Sequence, residues 1–317
     1  MWIALMLAAM VLNGCEIFGL RILASWGFES GATDQYVLWY YLGATAATFL
    51  VMGAKRSRPN RKEVGIGALM ALFSMVGTMS LAYALSSYRL PGNIAYPIAN
   101  GGSLFMVIAA GVFLFKERLG WYGAFGCALG TVAVVLLAVE GPPVENVLKV
   151  EPVGYALAFV SLFSFGLLGI CHKYSERKGC RPDPLSCMLV LFGFIGMNGV
   201  VLARDGYETP MKVFLVAIVF GAISGLALWT FQLGIRHGKI ATSWLLINLS
   251  AAIPTVASIV IYHEAINWQK AATLCLVVAA VFLVWLDRKD GLEADGDARD
   301  WRESDSMPTL GASEQLL

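Results

Sequence analysis

The sequence predicts an all-α polytopic membrane protein, with ten transmembrane helices arranged as two inverted five-helix repeats. Three observations predict it. First, 58% of the 317 residues are hydrophobic and 14% charged, where a soluble domain carries roughly 25% charged residues. So little polar material cannot cover a globule in water, whereas a bilayer needs no such cover. Second, ten apolar stretches are long enough to span. Third, the chain meets a faint copy of itself when slid by 147 residues. The net charge of +1 does not point to nucleic acid.

A spanning helix needs about 20 apolar residues. Backbone groups cannot stay unpaired in hydrocarbon, so runs of this length mean helices rather than barrel strands. The first run is Ile3–Ala24. Its Leu12-Asn13-Gly14-Cys15 faintly resembles a lipoprotein cleavage site. No Lys or Arg precedes it and the apolar run continues, so it is read as an uncleaved helix. The second, Tyr36–Met52, opens on Tyr36, Trp39, Tyr40 and Tyr41, read as an interfacial belt. Val64–Leu85 follows, and then Gly92–Phe115, which contains Pro97 and the pair Gly101-Gly102. Trp121–Val139 carries Gly123, Gly126 and Gly130, which let a neighbouring helix approach closely. The linker from Glu140 to Pro152 contains Gly141-Pro142-Pro143. Beyond it come Val153–Cys171, Leu185–Ala203, Val213–Leu233, Ile240–Tyr262 (interrupted by Pro254) and Trp268–Leu286. Residues 1–140 and 141–289 are then the two repeats. Residues 290–317, acidic from Asp290 to Glu314, are expected to be a disordered cytoplasmic tail.

Basic residues orient the spans. With the N-terminus in the cytoplasm, the inner loops and helix ends hold fifteen Lys and Arg, among them Lys55, Arg56, Lys173, Arg181 and Lys239. The outer side holds six: Arg21, Arg89, Lys149, Arg204, Lys212 and Lys270. Both termini are therefore expected inside.

In the 147-residue register Arg89 meets Arg236, Ser103 meets Ser250, Glu117 meets Glu264 and Trp121 meets Trp268. Five helices is an odd number, so the second half enters the membrane upside down. Inverted repeats of this kind are a transporter architecture, with the site near the midplane between halves. Glu117, Trp121, Glu264 and Trp268 are read as helix-junction anchors rather than as the site, a gating role for the two glutamates being the other reading.

Glu16 is the only acid well inside a membrane run. It lies roughly 20 Å from the inner end of its helix in a core about 30 Å thick. An ionisable group there is costly and functional by default. A proton and a cationic substrate would compete for this one carboxylate, which is the minimum requirement for antiport. The alternative is a glutamate neutralised by Arg21 or bonded to a neighbouring helix, although Arg21 is badly placed around the helix. Asn13 shares the face of Glu16 one turn earlier. Tyr96, Asn100 and Ser103 form a polar stripe at comparable depth, facing either a cavity or another helix. Pro97 and Pro254 interrupt their helices and act either as an outer gate or as static bends. In the second half Leu168 takes the place of Glu16, and the polar candidates are Trp229, Gln232, Ser243, Trp244 and Asn248. Trp229 or Trp244 could hold a cation by its ring face, or simply pack.

The two junctions, FKERLGW and YHEAINW, and the five-plus-five layout resemble the drug/metabolite transporter superfamily in its ten-helix EamA-type form, over residues 2 to 288. LPGNIAYPIANGG is similar to the Pro-x-Gly-Ile-Ala-Tyr-Ala-Ile-Trp-Ser-Gly stretch of the small multidrug resistance family. Pro91, Ile94, Ala95, Tyr96, Ile98 and Gly101 match, Asn93 replaces a glycine and Ala99 a tryptophan. Cys15-Glu16-Ile17-Phe18-Gly19 is similar to that family's Ala-Glu-Val-Ile-Gly. The resemblance implies that Glu16 binds protons or cationic substrate and that Tyr96 lines the site.

The expected function is secondary transport of a small metabolite or a cationic or amphipathic compound by alternating access, with export coupled to proton entry through Glu16. A proton-independent facilitator of a neutral or zwitterionic metabolite, such as an amino acid, is the alternative. A membrane scaffold or receptor is the non-transport reading. No enzyme motif survives inspection: HEAIN at His263 lacks its second histidine, and Ala222 breaks a Gly-x-Ser-Gly pattern. No cofactor or metal is expected, because Cys180 and Cys187 near His172 match no zinc spacing. The expected setting is a bacterial inner membrane, with the chain acting as a monomer or homodimer.

Overall fold

The computed structural model describes residues 2–25, 32–86, 90, 95–117, 119–139, 152–204, 207–250, 252–262 and 267–305. These form helices and connecting turns, with no strand among the described residues. The first three helices are α1 (Trp2–Ser25), α2 (Ala32–Ala54) and α3 (Arg61–Ser86). The fourth span has three parts: a π-helical turn Pro97–Gly101, the helix α4 (Gly102–Ala109) and a second π-turn Ala110–Leu114. Then come α5 (Trp121–Val139), α6 (Pro152–Arg177), α7 (Pro182–Arg204), α8 (Met211–Ile235), α9 (Ile240–Leu249), α10 (Ala252–Tyr262) and α11 (Trp268–Asp305). Among the described residues, seven helices are long and apolar enough to cross a bilayer, while Ile98–Leu114, Trp121–Leu136 and Ile240–Leu249 are apolar but shorter.

Two expectations need correction. The second span begins at Ala32 rather than Tyr36, so its tyrosines sit inside the helix instead of at its mouth. The ninth span is two helices, broken at Ser250. Pro254 explains the place. A helical proline cannot bond the carbonyl four residues back and its ring clashes with it. That carbonyl belongs to Ser250, and it accepts the N–H of Ile253 at 2.9 Å instead. The helix α11 runs on through acidic residues to Asp305. A helix already nucleated in the membrane extends at little further cost.

The helices pack α2 on α8, α1 on α8, α3 on α6 and α7, α2 on α7, and α5 on α11. The fourth span lies against α6, and α1 also touches α9 and α10. Four apolar clusters result among the described residues, two of them large. One gathers Met6, Ile235, Leu245, Leu249 and Ala280, and the other Leu38, Met70, Leu189 and Met197. The outer surface is apolar too: Leu50 is 73% exposed and Phe113 82%. Side chains of this kind on an outer face belong against lipid.

Charged contacts gather at one end, called here the basic end. Asn60 and Glu63 form a capping box on α3: Asn60 N–H donates to Glu63 Oε2 and Glu63 N–H to Asn60 Oδ1, both at 2.8 Å. Arg181 then donates to Glu63 from its backbone at 2.9 Å and from Nε at 3.1 Å. Those bonds push the Arg181 guanidinium further above its ordinary titration range. At the opposite end Arg204 pairs with Asp34 at 3.4 Å and lies over the ring of Tyr83.

Candidate functional site

Glycine sets the position of the buried polar site. A Cβ on Gly221 of α8 would lie 2.1 Å from the Tyr40 carbonyl oxygen of α2, and one on Gly43 2.2 Å from that of Ile218. The two backbones touch because neither position has a side chain. On the other flank Gly19 of α1 fits against the ring of Phe220. Three helices thus converge on Glu16, Tyr40 and Ser224. Each residue lies about 16 to 21 Å from the basic end of its helix, at the middle of a core about 30 Å thick.

The Tyr40 hydroxyl donates to Glu16 Oε1 at 2.6 Å and is also hydrogen-bonded to Ser224 Oγ. The second carboxylate oxygen, Oε2, is buried with no hydrogen-bond partner. One turn before Tyr40, the Tyr36 hydroxyl is likewise buried without a partner. Tyr41 turns the other way and bonds Ser74 of α3 at 2.8 Å. A tyrosine has one proton to donate, so the three groups form a polar chain with two senses. With Glu16 ionised, Ser224 donates to Tyr40 and Tyr40 to the carboxylate. With Glu16 protonated, the carboxyl can donate to Tyr40 and Tyr40 to Ser224.

The other predicted residues lie elsewhere. Asn13 donates to Ser250 Oγ at 2.7 Å, tying α1 to the break between α9 and α10. Gly14 beside it makes room, since a Cβ there would lie 2.8 Å from the Ser250 carbonyl oxygen. Ser103 bonds its own helix at the Asn100 carbonyl, and Asn248 does the same at Trp244. Asn100 is half-buried in the first π-turn, which begins at Pro97, and Tyr96 is 43% exposed. Trp244 joins His172 and Phe231 in an aromatic cluster with centroids 5.2 to 6.0 Å apart. Trp229 lies nearer the basic end and donates to Asp183 at 2.7 Å.

The junction residues separate. Trp121 and Trp268 are both 74% exposed, as interfacial anchors are. Glu264 lies outside the described residues. Glu117 reaches across to α9: both its oxygens accept the Ile240 N–H at 2.9 Å, and Lys173 Nζ stands 3.3 Å from Oε1. A carboxylate on the first N–H of a helix satisfies an orphan donor and complements the helix dipole. Lys116, in the left-handed region at φ 54°, turns the chain so that the next residue can do this. Asp287 plays the same part for α5, accepting the Gly123 N–H at 3.1 Å and pairing with Lys239 at 2.6 Å.

Sequence reasoning missed Tyr40, Ser224, Tyr36 and Asp287. The available signal was depth: Tyr40 and Ser224 are polar residues at the level of Glu16 on helices that contact one another. No group of His, Cys, Asp and Glu among the described residues is placed to hold a metal ion.

Fold and site together define a polytopic integral membrane protein with a polar site buried at mid-depth. Residues 152–286 match the model of the EamA-like transporter family. A solved structure titled only "Crystal structure of protein" has the same fold, with a TM-score of 0.70 over 88% of this chain and 98% of that one, at 17% identity. No curated protein matches the chain in sequence.

Proposed function

We propose that the chain is a secondary transporter that exports a small cationic or amphipathic compound in exchange for protons, with Glu16 as the shared site. The observation that carries this reading is the half-satisfied carboxylate. One oxygen of Glu16 is held by Tyr40, while the other is buried and unpartnered. An unpaired charge there is costly, so a proton or a cation on Oε2 stabilises it. Only one of them can bind at a time, and that exclusion couples their opposite movements.

We read the chain as two inverted repeats, residues 1–140 and 141–289. The matched family segment falls inside the second of them. The packing supports this, because exchanging the halves turns α1 on α8 into α6 on α3, and α2 on α8 into α7 on α3; all four pairs are packed. The basic end is cytoplasmic in this reading, as in a bacterial inner membrane, and Pro97 and Pro254 lie at the moving joints. A single chain holds both walls of the path, although a homodimer is compatible with it.

Purified protein in liposomes is expected to move substrate in response to a pH gradient, and Glu16→Gln to abolish that response. Unchanged pH-driven transport by the mutant overturns the proton-coupled mechanism. Transport that ignores the gradient in wild type supports the facilitator of a neutral or zwitterionic metabolite instead.

A further inference from the structure

We propose that Trp229 and Asp183 form a second cation site, near the basic end, occupied in this structure by the chain's own Lys55. The ligand class is a small alkylammonium. The Lys55 ammonium sits 4.6 Å from the centroid of the Trp229 ring and 3.1 Å from Asp183 Oδ1. The Trp229 indole N–H donates to that same oxygen at 2.7 Å. The carboxylate therefore fixes the ring, and ring face and carboxylate together hold one positive charge. A ring face and a carboxylate are also what a quaternary ammonium needs, since it has no N–H to donate.

Host and occupant differ in how they are held. The Asp183 side chain is 14% exposed and lies in the first turn of α7, while Trp229 is half-buried on α8. The Lys55 side chain is 46% exposed and follows the end of α2 on a flexible stem. A half-exposed ion pair and a cation–π contact are each worth about 1 kcal/mol or less. The host is thus preformed and its occupant exchangeable. Arg181, the neighbouring cation, is committed to Glu63. Trp229 lies five residues beyond Ser224 on α8, about 7.5 Å nearer the basic end and about 140° round the helix, so the two sites are separate.

The site stands apart from the Glu16 reading, so its test removes Glu16. Protein carrying Glu16→Gln is labelled with 5-fluorotryptophan, the Trp229 fluorine resonance is assigned through Trp229→Phe, and tetramethylammonium is titrated in detergent. With Lys55→Ala added, the Trp229 resonance is expected to shift saturably. With Lys55 present, the tethered ammonium competes and half-saturation needs about tenfold more ligand. Adding Asp183→Asn to Lys55→Ala removes the saturable shift. Lys55→Gln replaces Lys55→Ala if the latter lacks dispersed resonances. The absence of a saturable shift in folded Lys55 variants overturns the site. So does equal affinity with and without Lys55, or binding that survives Asp183→Asn.

Discussion

Tyr40 has one proton and two oxygens within reach of it, those of Glu16 and Ser224. Removing its hydroxyl leaves Glu16 with neither oxygen bonded to Tyr40, so the ionised form loses a charge-assisted bond worth roughly 1.5 to 3 kcal/mol. Tyr40→Phe is therefore expected to slow pH-driven uptake in liposomes by about tenfold or more. Ser224→Ala, one bond further from the charge, should cost less than Tyr40→Phe in the same assay. A Tyr40→Phe protein that transports at the wild-type rate would show that the hydroxyl only packs. The place of Glu16 deep in a helix was legible in the sequence, because a lone acid stands out in an apolar run. Tyr40 was not. Its span was started four residues late, and a tyrosine at a helix mouth reads as an anchor. Tyr96 drew attention through a local pattern, yet Glu16 is bonded to α2 and contacts α8, which no local pattern encodes.

Among the elements, α9 depends on a residue far from it in the chain. Its first N–H groups are capped by Glu117, which Lys173 also contacts. Glu117→Ala removes the cap and leaves Lys173, 9% exposed, with Glu176 and the Gly238 carbonyl. A cap is worth about 0.5 to 2 kcal/mol, and a damaged buried pair adds to that. The variant should melt several degrees lower in detergent, and Glu117→Gln, which keeps an acceptor, should recover part of the loss. Equal melting temperatures for wild type and Glu117→Ala would refute the capping role. Likewise, Gly221→Ala forces a methyl against the Tyr40 carbonyl oxygen, so it should destabilise by about 1 to 3 kcal/mol, read by the same melt. The sequence marked Glu117 as a repeated junction residue, and the structure supplies its partner 123 residues on. The break in the ninth span was legible as Pro254, but its place follows from the carbonyl four residues earlier.

Across the whole molecule the basic end is closed by ties between distant segments. Glu63 to Arg181, Asp183 to Lys55, Glu117 to Lys173 and Asp287 to Lys239 each join parts of the chain far apart in sequence. Opening that end must break several of them. Lys173→Met, which frees the Gly238 carbonyl that Lys173 holds at 3.3 Å, is expected to raise the labelling rate of Cys180, 3% exposed at this end, with a water-soluble thiol reagent. No change in labelling would mean that Lys173 does not hold this end shut. The membrane class was readable from composition, and the all-helical content from run length. The pairing of α2 with α8 was hidden, because glycines scattered through apolar runs do not announce which partner they admit.

The contact between α2 and α8 has a mechanical consequence. Helices separated by side chains can slide, because the side chains re-pack as they go. Helices whose main chains meet at Gly43, Gly221 and Gly225 have no such bearing surface, and they turn as one plate. The wall beside Glu16 is then a rigid panel that carries its site with it. Hinges are expected where the backbone is already irregular, at the two π-turns around α4 and at the turn at Ser250.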